Sequence, residues 1–99
     1  MSPLNDFQFD VLEETTPVLV DFYADWCAPC RALSSRLETL SQELKSKLKI
    51  VKVNIEDHPD VAAKYGIRSL PTLIRFEQGE PVRTFVGNPV GDALMSLAY

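Results

Sequence analysis

Two cysteines, Cys27 and Cys30, stand three positions apart with Ala28 and Pro29 between them. Sulfurs at that spacing suit dithiol-disulfide exchange, in which one thiolate attacks a disulfide and the second displaces the product from the mixed disulfide. The pair falls where an apolar run ends and a helical pattern begins. A helix N-terminus presents unpaired amides and the positive end of the helix dipole, and both favour a thiolate over a thiol. A free cysteine titrates near pH 8.5, roughly, and this setting lowers that value. Cys27, at the exposed start of the turn, is the expected nucleophile. Cys30, already inside the first helical turn and shielded, is the expected resolving thiol. Pro29 fits the first positions of a helix, because its φ is fixed and it has no amide hydrogen to satisfy, and it stiffens the loop.

Other readings of the pair are weaker. A zinc site needs about four ligands, and beyond the two cysteines the chain offers only His58 and carboxylates, so no metal is expected. A purely structural disulfide closing so small a loop would stabilise little. A lone CxxC is by itself a weak motif, so the case against two unreactive cysteines depends on their surroundings. His58, beside Pro59, reads as a surface turn residue, and Glu13, Glu14, Glu56, Asp57 and Asp60 read as solvated surface.

The elements that must position the cysteines follow from periodicity. Val18 to Ala24 (VLVDFYA) is a nearly continuous run of strand-preferring residues, expected to be covered on both faces as a central strand of an α/β sheet. From about Cys30, Leu33, Leu37, Leu40 and Leu44 recur at helical spacing. Leu48 to Ile55 is a second strand, completing a right-handed parallel crossover. Asp57 and Pro59 open a short helix that Gly66 stops. Thr72 to Glu77 and Val82 to Val86 form an antiparallel hairpin across Gln78-Gly79-Glu80-Pro81. At the two ends, Asn5 is expected to cap a helix running towards Glu14, and Asn88 and Pro89 to start one over Val90 to Leu97, with Val90, Leu94 and Leu97 on one side.

The 99 residues suffice for a single domain, 1–99, and 45% hydrophobic residues beside 24% charged ones suit a globular chain. A net charge of -4 without a basic run excludes a nucleic-acid partner of the usual phosphate-binding kind. Nothing approaches the roughly 20 apolar residues of a membrane span, and Met1 to Asp10 lacks the pattern of a secretory signal. The expected compartment is the cytoplasm, where a close cysteine pair reads first as redox chemistry or metal binding.

Val20 to Cys30 (VDFYADWCAPC) closely resembles the active-site stretch of thioredoxins. Lys64 to Leu73 (KYGIRSLPTL) resembles the family's proline-loop segment, and Phe76 to Glu80 with Val86-Gly87 its final hairpin. The resemblance covers nearly the whole chain in order. It implies an α/β thioredoxin fold, a central mixed β-sheet flanked by helices, and a cytoplasmic protein-disulfide reductase working by electron transfer through a redox-active Cys27-Cys30 disulfide. Asp21 matches the family's buried acid beneath the resolving cysteine, and an acid inside a buried strand is costly without a role. Desolvation should raise its pKa and suit it to exchanging the Cys30 proton. Lys52 matches the lysine near that acid and Trp26 the exposed tryptophan beside the cysteines. Pro71 matches the family's cis proline. Leu70, Pro71 and Gly87, with Ala28 and Pro29 of the loop, are the expected contacts for an extended substrate peptide. The implied partners are disulfide-containing proteins and a flavin-containing thioredoxin reductase as electron donor, with no cofactor bound by this monomeric chain itself.

Three departures from the family pattern stand out. Ala28 replaces the usual glycine, which restricts the loop and bears on redox potential. Ser35 stands where a proline commonly kinks the helix, which predicts a straighter helix. The segment before Asn5 is too short for a full first strand, which predicts a shortened sheet edge. Two other functions share the same features: an oxidase or isomerase of an oxidising compartment, and a binding module without turnover.

Overall fold

In the computed structural model, which describes residues 1–99, the apolar run forms β2 (Val18–Tyr23), buried along all but its last residue. Its neighbours explain that burial. The sheet also contains β1 (Ser2–Pro3), β3 (Lys49–Asn54), β4 (Thr72–Glu77) and β5 (Glu80–Val86), in the order β1-β3-β2-β4-β5. β3 runs parallel to β1 and β2, whereas β4 is antiparallel to β2 and β5, so the sheet is mixed as expected. β1 is only two residues long, a shortened sheet edge as expected.

Alternation along the strands divides the interior into two layers, since successive side chains point to opposite faces. Leu19, Ile50 and Leu73 meet Leu33, Leu37 and Leu40 of helix α1 (Ala28–Glu43), Leu44 at its C-cap, and Leu94 and Leu97 of α3 (Ala93–Ala98). Val18, Val20, Phe22, Val51, Val53, Ile74 and Phe76 face the other way, toward Val11 and toward Val61 of α2 (Pro59–Lys64). Full burial of leucines such as Leu33 and Leu37 contributes about 1.5 to 3 kcal/mol each. The same alternation puts Asp21, Lys52 and Arg75 on the α1 and α3 face. Arg75 is buried there and donates to the carbonyls of Leu97 and Ala98, both at 2.9 Å, capping the C-terminal end of α3. Its Nε also pairs with Glu77 at 2.8 Å.

α1 is one unbroken helix of 16 residues that starts at Ala28, two residues earlier than the leucine stripe alone indicates. Pro29 sits in its first turn, where a missing amide costs nothing. α2 ends as predicted: Gly66 N donates to Ala63 O and Ile67 N to Ala62 O, the paired bonds that close a helix.

Three expectations need correction. The N-terminal helix is a single wide π turn, Gln8–Leu12, and Asn5 does not cap it with its side chain. The carboxylate of Asp10 reaches back to accept from the amides of Asn5 and Asp6 at 2.9 and 3.0 Å, which lowers its pKa. α3 begins at Ala93, not Val90. Asn88 Oδ1 accepts from Arg36 at 3.0 Å and Val90 is exposed, so neither serves that helix as expected. The hairpin turn is two residues, Gln78 and Gly79, both at positive φ, and Pro81 belongs to β5, an edge strand where a missing donor is tolerated.

Candidate active site

β2 delivers the chain to the C-terminal border of the parallel pair β2 and β3, and α1 leaves from there. Cys27 and Cys30 occupy the junction as a disulfide, with Cα atoms 5.3 Å apart. Cys27 caps α1 with its own side chain: the amide of Cys30 donates to Cys27 Sγ at 3.2 Å. The backbone of Cys27 is anchored in turn, its amide donating to Ala24 O at 3.1 Å.

The sequence reading placed Cys27 in the open, and here the structure corrects it. Cys27 is 5% exposed and Cys30 2%. Access to Cys27 is through a mostly apolar groove of about 330 Å³ lined by Trp26, Cys27, Ala28, Pro29, Ile55, Ile67, Arg68 and Leu70. Trp26 is 66% exposed on its rim, and Ala28 and Pro29 are exposed beside it. An apolar groove ending at a sulfur can receive an extended stretch of polypeptide.

The opposite wall comes from the loop before β4. The Leu70-Pro71 peptide is cis. Leu70 lines the groove, whereas Pro71 is buried and Gly87 stands behind it, its amide donating to Pro71 O at 2.8 Å. Thr72 Oγ1 braces the same loop by donating to Ser69 O at 2.6 Å. Ile55, Ile67 and Arg68 were not singled out from sequence. Their positions at the ends of β3 and α2 bring them together only once the sheet order is known.

Cys30 opens onto a separate cleft of about 260 Å³, shared with Tyr23, Ala24, Asp25, Arg31, Ser34, Ser35 and Lys52. Asp21, two residues before Tyr23 on the same face of β2, is 0% exposed, with neither carboxylate oxygen hydrogen-bonded. Burial pushes its pKa up to about 6, against a smaller opposing pull from the positive charge of Lys52. Asp21 and Lys52 are register partners across β2 and β3. The Lys52 ammonium nevertheless donates to Ser34 Oγ at 3.2 Å and lies 4.4 Å from the centre of the Tyr23 ring. No group of three or more His, Cys, Asp or Glu side chains is arranged to hold a metal, and no helix is long and apolar enough to cross a membrane.

The thioredoxin family model matches residues 2–98. Among curated relatives, a thioredoxin of Rickettsia bellii (strain RML369-C) is 49% identical over 81 residues, 82% of this chain and 77% of its own. Thioredoxin C-2 of Corynebacterium nephridii is 54% identical over 82 residues, 83% and 76% of the two chains. Thioredoxin 1 of Synechococcus elongatus (strain ATCC 33912 / PCC 7942 / FACHB-805) is 48% identical over 81 residues, 82% and 76%. With its cysteine pair joined at the head of α1, a match along nearly its full length places this chain in the thioredoxin family, as a thiol-disulfide oxidoreductase whose redox-active group is its own Cys27-Cys30 disulfide.

Proposed function

We propose that the chain is a cytoplasmic protein-disulfide reductase in which Cys27 attacks and Cys30 resolves. The observation that carries the reading is the Cys30 amide donating to Cys27 Sγ at the start of α1, at the floor of an apolar groove. In the reduced protein that amide and the helix dipole favour the Cys27 thiolate. The thiolate attacks one sulfur of a substrate disulfide, the substrate S–S bond breaks, and the departing sulfur leaves as a thiolate that takes a proton. Cys30 then gives its proton to the Asp21 carboxylate and attacks Cys27 Sγ. The mixed disulfide breaks, the second substrate sulfur leaves, and two electrons have passed from the dithiol to the substrate.

Trp26, Ala28, Pro29 and Leu70 are the groove contacts in this reading, and Pro71 and Gly87 shape the facing loop. Lys52 tunes Asp21. Residues 1–99 act as one monomeric domain on disulfide-containing proteins, without nucleic acid or membrane partners. A flavin-containing thioredoxin reductase returns the electrons.

Cys30→Ser tests the order of attack. It should accumulate a mixed disulfide through Cys27 with an oxidised protein such as insulin, seen by mass spectrometry, whereas Cys27→Ser should form none. Accumulation through position 30 in Cys27→Ser would reverse the assignment. The equilibrium potential against glutathione tests the direction: a couple more oxidising than the glutathione pool would make the protein an oxidant.

A further inference from the structure

Lys52 is the charge that opposes the effect of burial on Asp21, yet its ammonium is held by other groups. It donates to Ser34 Oγ at 3.2 Å and sits over the Tyr23 ring at 4.4 Å. No carboxylate lies within ion-pair distance of it, and both Asp21 oxygens are without a hydrogen-bond partner. The three residues converge from three elements: Tyr23 ends β2, Lys52 lies on β3, and Ser34 is one turn beyond Cys30 on α1. All three line the cleft onto which Cys30 opens.

We propose that Ser34 and Tyr23 are positioning residues that hold the Lys52 ammonium in this cleft and thereby govern proton uptake by Asp21 during resolution. A hydroxyl acceptor and an aromatic face bind an ammonium without neutralising its charge. The charge stays half-buried, where its field reaches a carboxylate that has no other compensating group. An ammonium is strongly hydrated. Without its two holders it relaxes toward water and toward exposed Asp25 on the rim, away from Asp21. The Asp21 carboxylate then becomes harder to form, and fewer molecules at neutral pH carry a base ready for the Cys30 proton.

The other groups around the cleft set the background. Asp25 and Arg31 face it from the turn and from α1, and the Cys30 thiol shares its wall. Asp57 adds negative charge from beyond β3, felt at Tyr23 together with Asp25 and Asp21. Across β4, the partner of Asp21 is Leu73, which carries no charge. Arg75 of β4 shares that face, but its guanidinium is engaged by the Leu97 and Ala98 carbonyls and by Glu77, which leaves Lys52 as the cation that acts on Asp21.

The inference rests on Asp21 being the proton acceptor, and the test separates the two. The Asp21 carboxyl midpoint is followed by carbon-13 NMR in the reduced protein, and resolution is timed as release of a preformed Cys27 mixed disulfide against pH. Ser34→Ala and Tyr23→Leu should each raise the midpoint by about half a pH unit or more, which is about a threefold loss of carboxylate on the acid side of the midpoint. Ser34→Thr and Tyr23→Phe keep the hydroxyl and the ring and should restore the wild-type midpoint. In a Lys52→Met background Ser34→Ala should shift nothing further, an outcome that a general loosening of the fold would not produce. A wild-type midpoint in folded Ser34→Ala and Tyr23→Leu, or an equal shift with and without Lys52, would overturn the proposal. If the midpoint moves while Asp21→Asn resolves at the wild-type rate and pH profile, the holders of Lys52 stand and the base role of Asp21 falls.

Discussion

The amide of Cys30 donates to the sulfur of Cys27, so the first turn of α1 is aimed at the atom that opens the groove. In the reduced protein Cys27 should therefore titrate below the ordinary thiol value of about 8.5, and Cys30 should not. Thiolate absorbance against pH checks this in Cys30→Ser and Cys27→Ser. Alkylation of Cys27 by iodoacetamide at pH 7 should run about tenfold faster than that of an unstructured peptide thiol, and equal rates would remove the helix terminus from the mechanism.

Asp21 has a raised pKa, about 6, which makes stability depend on pH with a definite sign. Below the unfolded value near 3.8 the carboxyl is protonated in both states and costs nothing. Between that value and about 6 the unfolded chain gives up its proton while the folded protein keeps it, so stability is lost progressively across this window and levels off above it. Asp21→Asn should accordingly be more stable than the wild type by about 3 kcal/mol at pH 8 and nearly equal to it at pH 3.5. Urea unfolding at the two values measures the difference, and a gap independent of pH would contradict the burial argument.

Gly87 holds Pro71 by a backbone bond while its own φ is +98°, a conformation other residues adopt only with strain. A side chain there would meet no neighbour within 4 Å, so Gly87→Ala isolates the backbone cost. The expected loss is about 1 to 3 kcal/mol of stability. If the bond to Pro71 weakens with it, KM for insulin reduction should rise more than kcat falls. An unchanged KM would separate Gly87 from the substrate wall.

Arg75 ties β4 to the end of α3 through two carbonyls, and removing it leaves both buried acceptors without that partner. Arg75→Met should cost about 2 to 4 kcal/mol. Hydrogen exchange should accelerate first in Ala93–Ala98, while disulfide reduction per folded molecule stays near wild type. Arg83, exposed and bonded to the carbonyl of Ser96, should matter far less when changed to Ala.

Much of the site was legible in the sequence because its elements announce themselves locally. Val18 to Tyr23 is apolar except for Asp21, and a lone acid in such a run is conspicuous before any contact is known. Leu33, Leu37, Leu40 and Leu44 state both the helix and its buried face. What could not be read depends on distant partners. Asn88 looks like a cap until Arg36, 52 positions away, takes its side chain. Asn5 looks like a cap until Asp10 satisfies its amide. Nothing local marks Arg75 for burial, and only the arrival of α3 makes it tolerable. The shielding of Cys27 is of the same kind, since Ile55, Ile67 and Leu70 reach its groove from separate parts of the chain.

The two borders of the sheet carry a consequence of their own. An open sheet border is a risk to any such fold, since another chain can add a strand to it and grow into filaments. Here one border is a stub of two residues, and the other contains Pro81, which withholds a donor, beside exposed Glu80 and Arg83. Neither flank offers a long, uncharged template for another chain, so the sheet that carries the cysteine pair is guarded against growth from its own borders.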